Sequence, residues 1–483
     1  MKSQPQQHRS AARPQYKLLS LALASCLPFA SLTVHGDELE DLKAQIQALS
    51  NRLSELEAAK APKAAAEPTA AVKTDQDGKK IDPAGSNVTL YNNGNTSLKM
   101  YGLVEATVSR ATNQGPSGQP ASGFQVAWFS GNRLGFDVEH GLGFGKDLGM
   151  PDLKVISKLE SEFELPTGDM DTANVLFNRD AWVGLYSDSL GKLTLGRQNT
   201  LTRDFTNTWG DPYGAAEVTT KEGGYSNVNN FKQFIFYSGG PTGTRYNSAI
   251  EWKKKFDDDH VVVGAAYAFG SAGAGGSGDV GNGGSIPGDF TNGTAQAVSV
   301  AYNHLELADG VVLNANVSYD RGNNHDLISQ SEMLGGNIVV GPFRLNAGFG
   351  HYTAQQGVNN SAGTRTDTPW TVSMKYTMNQ TDFALGYQQM KGKHAGFNGG
   401  GKIINPFGNT SGVTTVADGS RNTVYTSVMY HADSQTDFYV AADYLKVTGD
   451  WVFGDALGNG NKFGAGQQFK GETELATGVR FKF

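Results

Sequence analysis

The chain has 483 residues, a formal net charge of -7, 62 glycines and one cysteine. So mild a charge, with no basic stripe, excludes a nucleic-acid partner. The mean hydropathy of -0.39 does not exclude a membrane barrel, because only alternate residues of a spanning strand face lipid and polar loops lower the mean.

Residues 1–36 read as a secretory leader. Arg9, Arg13 and Lys17 form its positive start, residues 18–29 its apolar core, and Val34-His35-Gly36 its cleavage region, so the mature chain is expected to begin near Asp37. Leu23-Ala24-Ser25-Cys26 resembles a lipoprotein box, but the sequence stays apolar past Cys26. Without that cysteine the mature chain has no thiol for a disulfide or a metal. The nine histidines are scattered with no ligand spacing. No metal and no cofactor are expected. No apolar run long enough for a membrane helix follows the leader.

Residues 37–57 carry Leu39, Leu42, Ile46, Leu49, Leu53 and Leu56 at alternating spacings of three and four, the seam of a coiled coil. Asp37, Glu38, Glu40 and Asp41 suit the start of a helix. About three heptads are marginal alone, so this coil needs its chains held together elsewhere. An Ala/Pro/Lys stretch at 58–73 and a polar, turn-rich stretch at 75–95 follow, and 58–95 is expected to be a linker. That linker argues against a helix packed on its own domain.

From residue 96 a period of two recurs. Leu98, Met100, Val104, Ala106 and Val108 oppose Lys99, Tyr101, Glu105, Thr107 and Ser109. Val311, Leu313, Ala315 and Val317 oppose Asn314, Asn316 and Ser318. At the end of the chain Leu475, Thr477, Val479, Phe481 and Phe483 oppose Glu474, Ala476, Gly478, Arg480 and Lys482. Alternation alone fits a soluble sandwich as well as a porous barrel. Connection lengths separate them. Short turns at 305–310, 341–342, 379–380 and 433–436 alternate with longer stretches at 271–293, 321–330, 353–367 and 391–421. Outer-membrane barrels have short turns at one end and long loops at the other.

Seventeen strand-like segments result, and a barrel with both ends on one side needs an even number. Direction of travel excludes 231–238 from the wall. It belongs to one connection spanning roughly 199–244, and a loop so long is usually functional. The expected fold is all-β: a 16-stranded antiparallel transmembrane barrel over 96–483, preceded by the short coiled-coil helix.

Asn132-Arg133-Leu134-Gly135-Phe136, then Phe177-Asn178-Arg179-Asp180-Ala181-Trp182-Val183-Gly184-Leu185, then Leu193-Thr194-Leu195-Gly196-Arg197-Gln198, resemble the general Gram-negative bacterial porins, especially those of β-proteobacterial type. The resemblance covers about 96–483. It implies a homotrimer of 16-stranded barrels and a third loop folded into each lumen. Phe481 and Phe483 would be the terminal signal read by the barrel assembly machinery. Other partners would be outer-membrane lipid and small hydrophilic solutes. The coiled coil departs from the usual general porin. The expected function is a water-filled channel for passive diffusion of small hydrophilic solutes and ions; the coil is similar to the periplasmic extensions of sugar-specific and some dicarboxylate-type porins, which makes a substrate-specific channel for sugars or organic acids the alternative. A coil binding peptidoglycan, with the barrel as anchor, is a further alternative.

A porin does no covalent chemistry, and its selectivity is set by width and field at its narrowest point. The resemblance points to Arg133, Arg197 and Arg245, with Arg179, on the wall. Asp204, Asp211, Glu217 and Glu222 are acidic candidates on the loop. Arg133 has the luminal parity. Arg197 shares parity with Leu193 and Leu195, so it needs a bulge or a strand end to face inward. Arg179 shares parity with Val183 and Leu185. An enzyme is not expected. The Gly-rich run at 270–284 lacks the features of a phosphate loop, and His351 and Ser373 have no evident third partner.

Overall fold

The computed structural model describes residues 88–113, 118–125, 127–206, 237, 244–257, 260–271, 287–289, 293–324, 327–397, 412–451 and 470–483. All fall in one compact unit, Val72–Phe483. The leader and the seam from Leu39 to Leu56 lie outside these residues.

The strands are β1 (Val88–Asn92), β2 (Thr96–Ala111), β3 (Ala121–Gln125), β4 (Asn132–Gly141), β5 (Lys154–Phe163), β6 (Asp180–Ser187), β7 (Gly191–Asn199), β8 (Arg245–Phe256), β9 (Val261–Ala268), β10 (Gly270–Ser271), β11 (Pro287–Asp289) and β12 (Thr294–Ala308). They continue as β13 (Val311–Asn324), β14 (Leu327–Val340), β15 (Phe343–Gln356), β16 (Gly363–Met378), β17 (Thr381–Phe397), β18 (Thr415–His431), β19 (Thr436–Gly449) and β20 (Gly471–Lys482). One short helix, α1 (Leu201–Phe205), follows β7.

Each wall strand pairs antiparallel with its neighbour in the chain, and the ring closes where β2 meets β20, from Leu103 opposite Lys482 to Ala111 opposite Glu474. The sheet holds 18 strands among the described residues. Of these, β1 and β3 only extend the edges of β2, which leaves sixteen positions round the ring. Closure matters because an unpaired backbone group in hydrocarbon costs several kcal/mol, and a closed ring has no edge.

The two faces separate as alternation requires. Leu334 is 58% exposed, Val317 54% and Phe349 50%, all on the outer face, while Asp320 and Ser331 are wholly buried on the inner one. Near the short turns, Phe343 packs on Tyr376 at 4.8 Å and Tyr376 on Phe383 at 6.3 Å, all outward on successive strands. Phe481 and Phe483 stack at 6.0 Å at the same end. Such a belt suits an interface between lipid and water.

β7 pairs directly with β8. No wall strand therefore intervenes, and 200–244 is one connection, as direction of travel required. Two expectations need correction. Residues 88–92, inside the expected linker, form β1, which pairs with Ser97–Met100 of β2 beside the end of β20. The stretch 321–330 is not a longer loop, because β13 and β14 stay paired out to Asn324 and Leu327. Strand lengths are uneven: β17 and β18 have 17 residues each, β6 eight and β7 nine.

Candidate functional site

The connection after β7 turns into the barrel. Thr200 caps α1 by accepting the Arg203 N–H at 3.2 Å. Leu201 and Phe205 are wholly buried on an inner wall of Ala249, Val262, Ala266, Ala268, Ala295 and Ala297. Gly264 lies within this patch, where a Cβ would come within 2.6 Å of Leu201 Cδ1. Small inward residues on β8, β9 and β12 thus make the seat for the helix. Asp320 of β13 accepts from Thr202 Oγ1 at 3.3 Å and from the Tyr246 hydroxyl.

Tyr237, further along the same connection, sits across the interior. Its hydroxyl donates to Asp367 Oδ2 at 2.9 Å, its carbonyl accepts from Ser331 Oγ, and its ring lies 5.3 Å from that of Tyr352. Asp367 also receives Arg365 at 2.7 Å. Both described parts of the connection therefore rest on the inner wall, from β8 round to β16. A second inward fold occupies the side near closure. Residues 127–131 interrupt the wall between β3 and β4, and Trp128 and Phe129 pack inside against Met429, Tyr439, Ala441 and Ala476. Among the described residues, the inner wall these folds leave is that of β5–β7, with the adjoining parts of β4, the two ends of β8 and the Tyr101 end of β2.

That wall is densely charged. Arg179, just ahead of β6 and buried, pairs with Glu160 through Nε and with Glu162 through Nη1. Arg133 faces inward on β4, with Leu134 outward. The register of β7 against β8 shifts between Gly196 and Gln198, but the extra residue is on β8; against β6 the register is unbroken and Arg197 lies opposite Ala181, so it keeps the parity of Leu193 and Leu195. Gly196 has φ 135, and its backbone lies so near Ala181 O that a Cβ would fall 2.3 Å away. Arg197 donates to Asn178 O at 2.7 Å and to Asn247 Oδ1. Arg245 is buried at the start of β8, in the electrostatic surroundings of Arg179, Arg203, Asp180 and Glu160. Asp204 on α1 meets Lys253 at 2.6 Å, and Lys253 also meets Glu251 at 2.9 Å.

Towards the short turns the cations lie over rings: Lys192 over Trp182 at 4.5 Å, Lys158 over Tyr101 at 4.8 Å and Lys154 over Tyr186 at 5.2 Å. Tyr101 donates to Glu160 Oε2 at 2.7 Å. The structure thus brings Arg133, Arg179, Arg245 and Asp204 into one region, with Arg197 beside Asn178. Asp211, Glu217 and Glu222 lie outside the described residues. Glu160, Glu162 and Lys253 were missed as site residues. Their inward parity was visible in the sequence, but the pairing of Glu160 and Glu162 with Arg179 was not, since Arg179 lies outside the strand's alternation.

His351 is on the outer face beside Glu332 at 3.4 Å, whereas Ser373 is buried inside against Asn346. They cannot form a nucleophile and base. Among the described residues no cluster of His, Cys, Asp or Glu could hold a metal ion.

A family model of Gram-negative porins matches residues 58–450. Among solved structures, the anion-selective porin from Comamonas acidovorans superposes with a TM-score of 0.56 at 18% identity, covering 80% of this chain and all of that one. OmpF of Salmonella typhi, in complex with daunomycin, gives 0.50 at 16% identity over 82% of this chain and all of that one. OmpT of Vibrio cholerae in its trimer form gives 0.50 at 14% identity over 80% and 100%. No curated protein matches the sequence.

Two outcomes follow from this geometry. Gly264→Leu should unseat α1 at a cost of about 1–3 kcal/mol. The change is read as a lower unfolding temperature together with faster proteolysis within 200–244. Glu164, in the connection after β5, has its carboxyl pushed up to about 7 by burial and by Asp171 and Glu162. Its folded value exceeds its unfolded one of 4.5, so the folded state holds an extra proton between about 4.5 and 7, and stability falls as pH rises across that interval and levels off above it. Thermal unfolding measured from pH 4.5 to 7.5 should show this slope, and Glu164→Gln should flatten it.

Proposed function

The chain belongs to the Gram-negative porin family, a water-filled channel of the outer membrane for small hydrophilic solutes, and from that premise we propose that its selectivity is set on the wall of β4–β8. Arg133, Arg179, Arg197 and Arg245, with Asp204 on the connection after β7, make up the proposed constriction. The observation that carries the reading is Arg179 held between Glu160 and Glu162 on the inner face of β5, beside the inward fold at 127–131. Unlike charges set side by side across a narrow aqueous gap produce a transverse field, and low-dielectric walls focus it. Such a field favours solutes that align a dipole and slows apolar ones. Asp211, Glu217 and Glu222 belong to the same proposal as acids of the loop.

Planar-bilayer recording in a salt gradient tests it. Arg133→Gln should move the reversal potential toward cations while leaving a folded channel. Arg179→Gln should do the same and also lower stability by about 3 kcal/mol, because two carboxylates lose their partner. Wild-type reversal potentials in both variants would sink the assignment.

The assembled form we infer is a homotrimer whose residues 37–57 form a coiled coil in the periplasm along Leu39, Leu42, Ile46, Leu49, Leu53 and Leu56. In support stand the heptad spacing and the trimer form of the Vibrio cholerae protein. Unheated electrophoresis should show a trimer. Deleting 37–75 should leave conductance intact and weaken retention on peptidoglycan; unchanged retention would remove the tethering role.

A further inference from the structure

Glu105 is wholly buried on the inner face of β2. Its Oε1 accepts the backbone N–H of Trp128 at 2.7 Å, that of Phe129 at 2.8 Å and the hydroxyl of Tyr439 at 2.9 Å. Its Oε2 lies 3.2 Å from Arg480 Nε on β20. The N–H of Glu105 itself donates to Asn132 Oδ1. A carboxylate that captures two successive amides fixes the backbone that bears them, and such charge-assisted bonds are about twice as strong as neutral ones. This capture holds 127–131 inside the barrel, in place of a continuous strand from β3 to β4.

The held segment in turn aims Arg133. Nε of Arg133 donates to Gly131 O at 3.0 Å, and Nη2 donates to Ser130 Oγ. Gly131 also leaves the space that the Glu162 carboxylate occupies, since a Cβ there would overlap it. The guanidinium is thus directed by the backbone of the segment that Glu105 holds. Glu105 and Arg480 are register partners, so they meet only when the last strand has zipped onto the first.

We propose that Glu105 is a positioning residue for ion selectivity: through residues 127–131 it sets the direction of Arg133, and it couples that direction to closure of the barrel at Arg480. The inference rests on the reading of Arg133 as part of the constriction. Glu105 touches no permeating ion, because its side chain is enclosed. Its influence passes through backbone that it captures.

The test is a mutant cycle read by reversal potential in a salt gradient. Glu105→Leu, of similar size but without an acceptor, should release the segment and move the potential in the same direction as Arg133→Gln. In a chain that already carries Arg133→Gln, adding Glu105→Leu should move it little further. A purely structural role would instead lower the unfolding temperature and leave the potential where it was. Should Glu105→Leu fail to insert, Glu105→Asp takes its place. That variant keeps a charge facing Arg480 but is one methylene too short to reach both amides, and it should show the same shift. If Arg133→Gln changes nothing, the constriction reading is wrong. If Arg133→Gln shifts the potential while the folded Glu105 variant behaves as wild type, or if the two shifts simply add, the positioning role is overturned.

Discussion

Everything in this molecule depends on satisfying backbone hydrogen bonds where no water is available. A strand in hydrocarbon must find a partner on each edge, and only a ring offers that to every strand. The pairing of β2 with β20 is where the ring is completed. Once it exists, alternate side chains are committed to opposite solvents, and the inner face becomes a place where charge can be kept. The acids and bases of β4–β8 are tolerable only because closure has given them a wet, enclosed side.

What enters the lumen is decided by how much room the inner face leaves. On β8, β9 and β12 that face is built from alanine, valine and glycine, and α1 settles there by apolar contact. Near the closing pair it is built from Tyr439, Met429 and Ala476, and Trp128 and Phe129 fill the space. Tyr237 is received by polar partners, Asp367 and Ser331. On β4–β7, and on β8 to either side of Ala249, many of the inward side chains are long and charged, and several pair with each other. The inside is therefore divided by side-chain size and polarity into seats and a charged wall.

Much of the barrel was legible in the sequence because a period of two and a sense of travel are both imposed by the membrane. The strand count followed from turn lengths, and the exclusion of 231–238 from the wall followed from direction alone. The parity of Arg197 was legible as irregular, but the bulge that lies there is on β8, at Asn247 and Ser248, and does not turn Arg197 to the other face. What stayed hidden lacks periodicity. β1 is exposed along its whole length, so no buried face marked it among its turn-forming neighbours. The pairing of Asn323 and Asn324 continues above the level where lipid demands apolar residues, and there polar sequence resembles a loop. The inward fold at 127–131 depends on a carboxylate more than twenty residues away, a relation no local pattern encodes. The partners of Arg179 were hidden for the same reason.

The uneven strands have a geometric outcome. With the short turns at one level, 17-residue β17 and β18 rise far higher than eight-residue β6, at about 3.3 Å per residue. The hydrogen-bonded rim is a ramp, not a level crown. Its high flank stands opposite the arginines, so the charged stretch of wall lies below the low side of the slope.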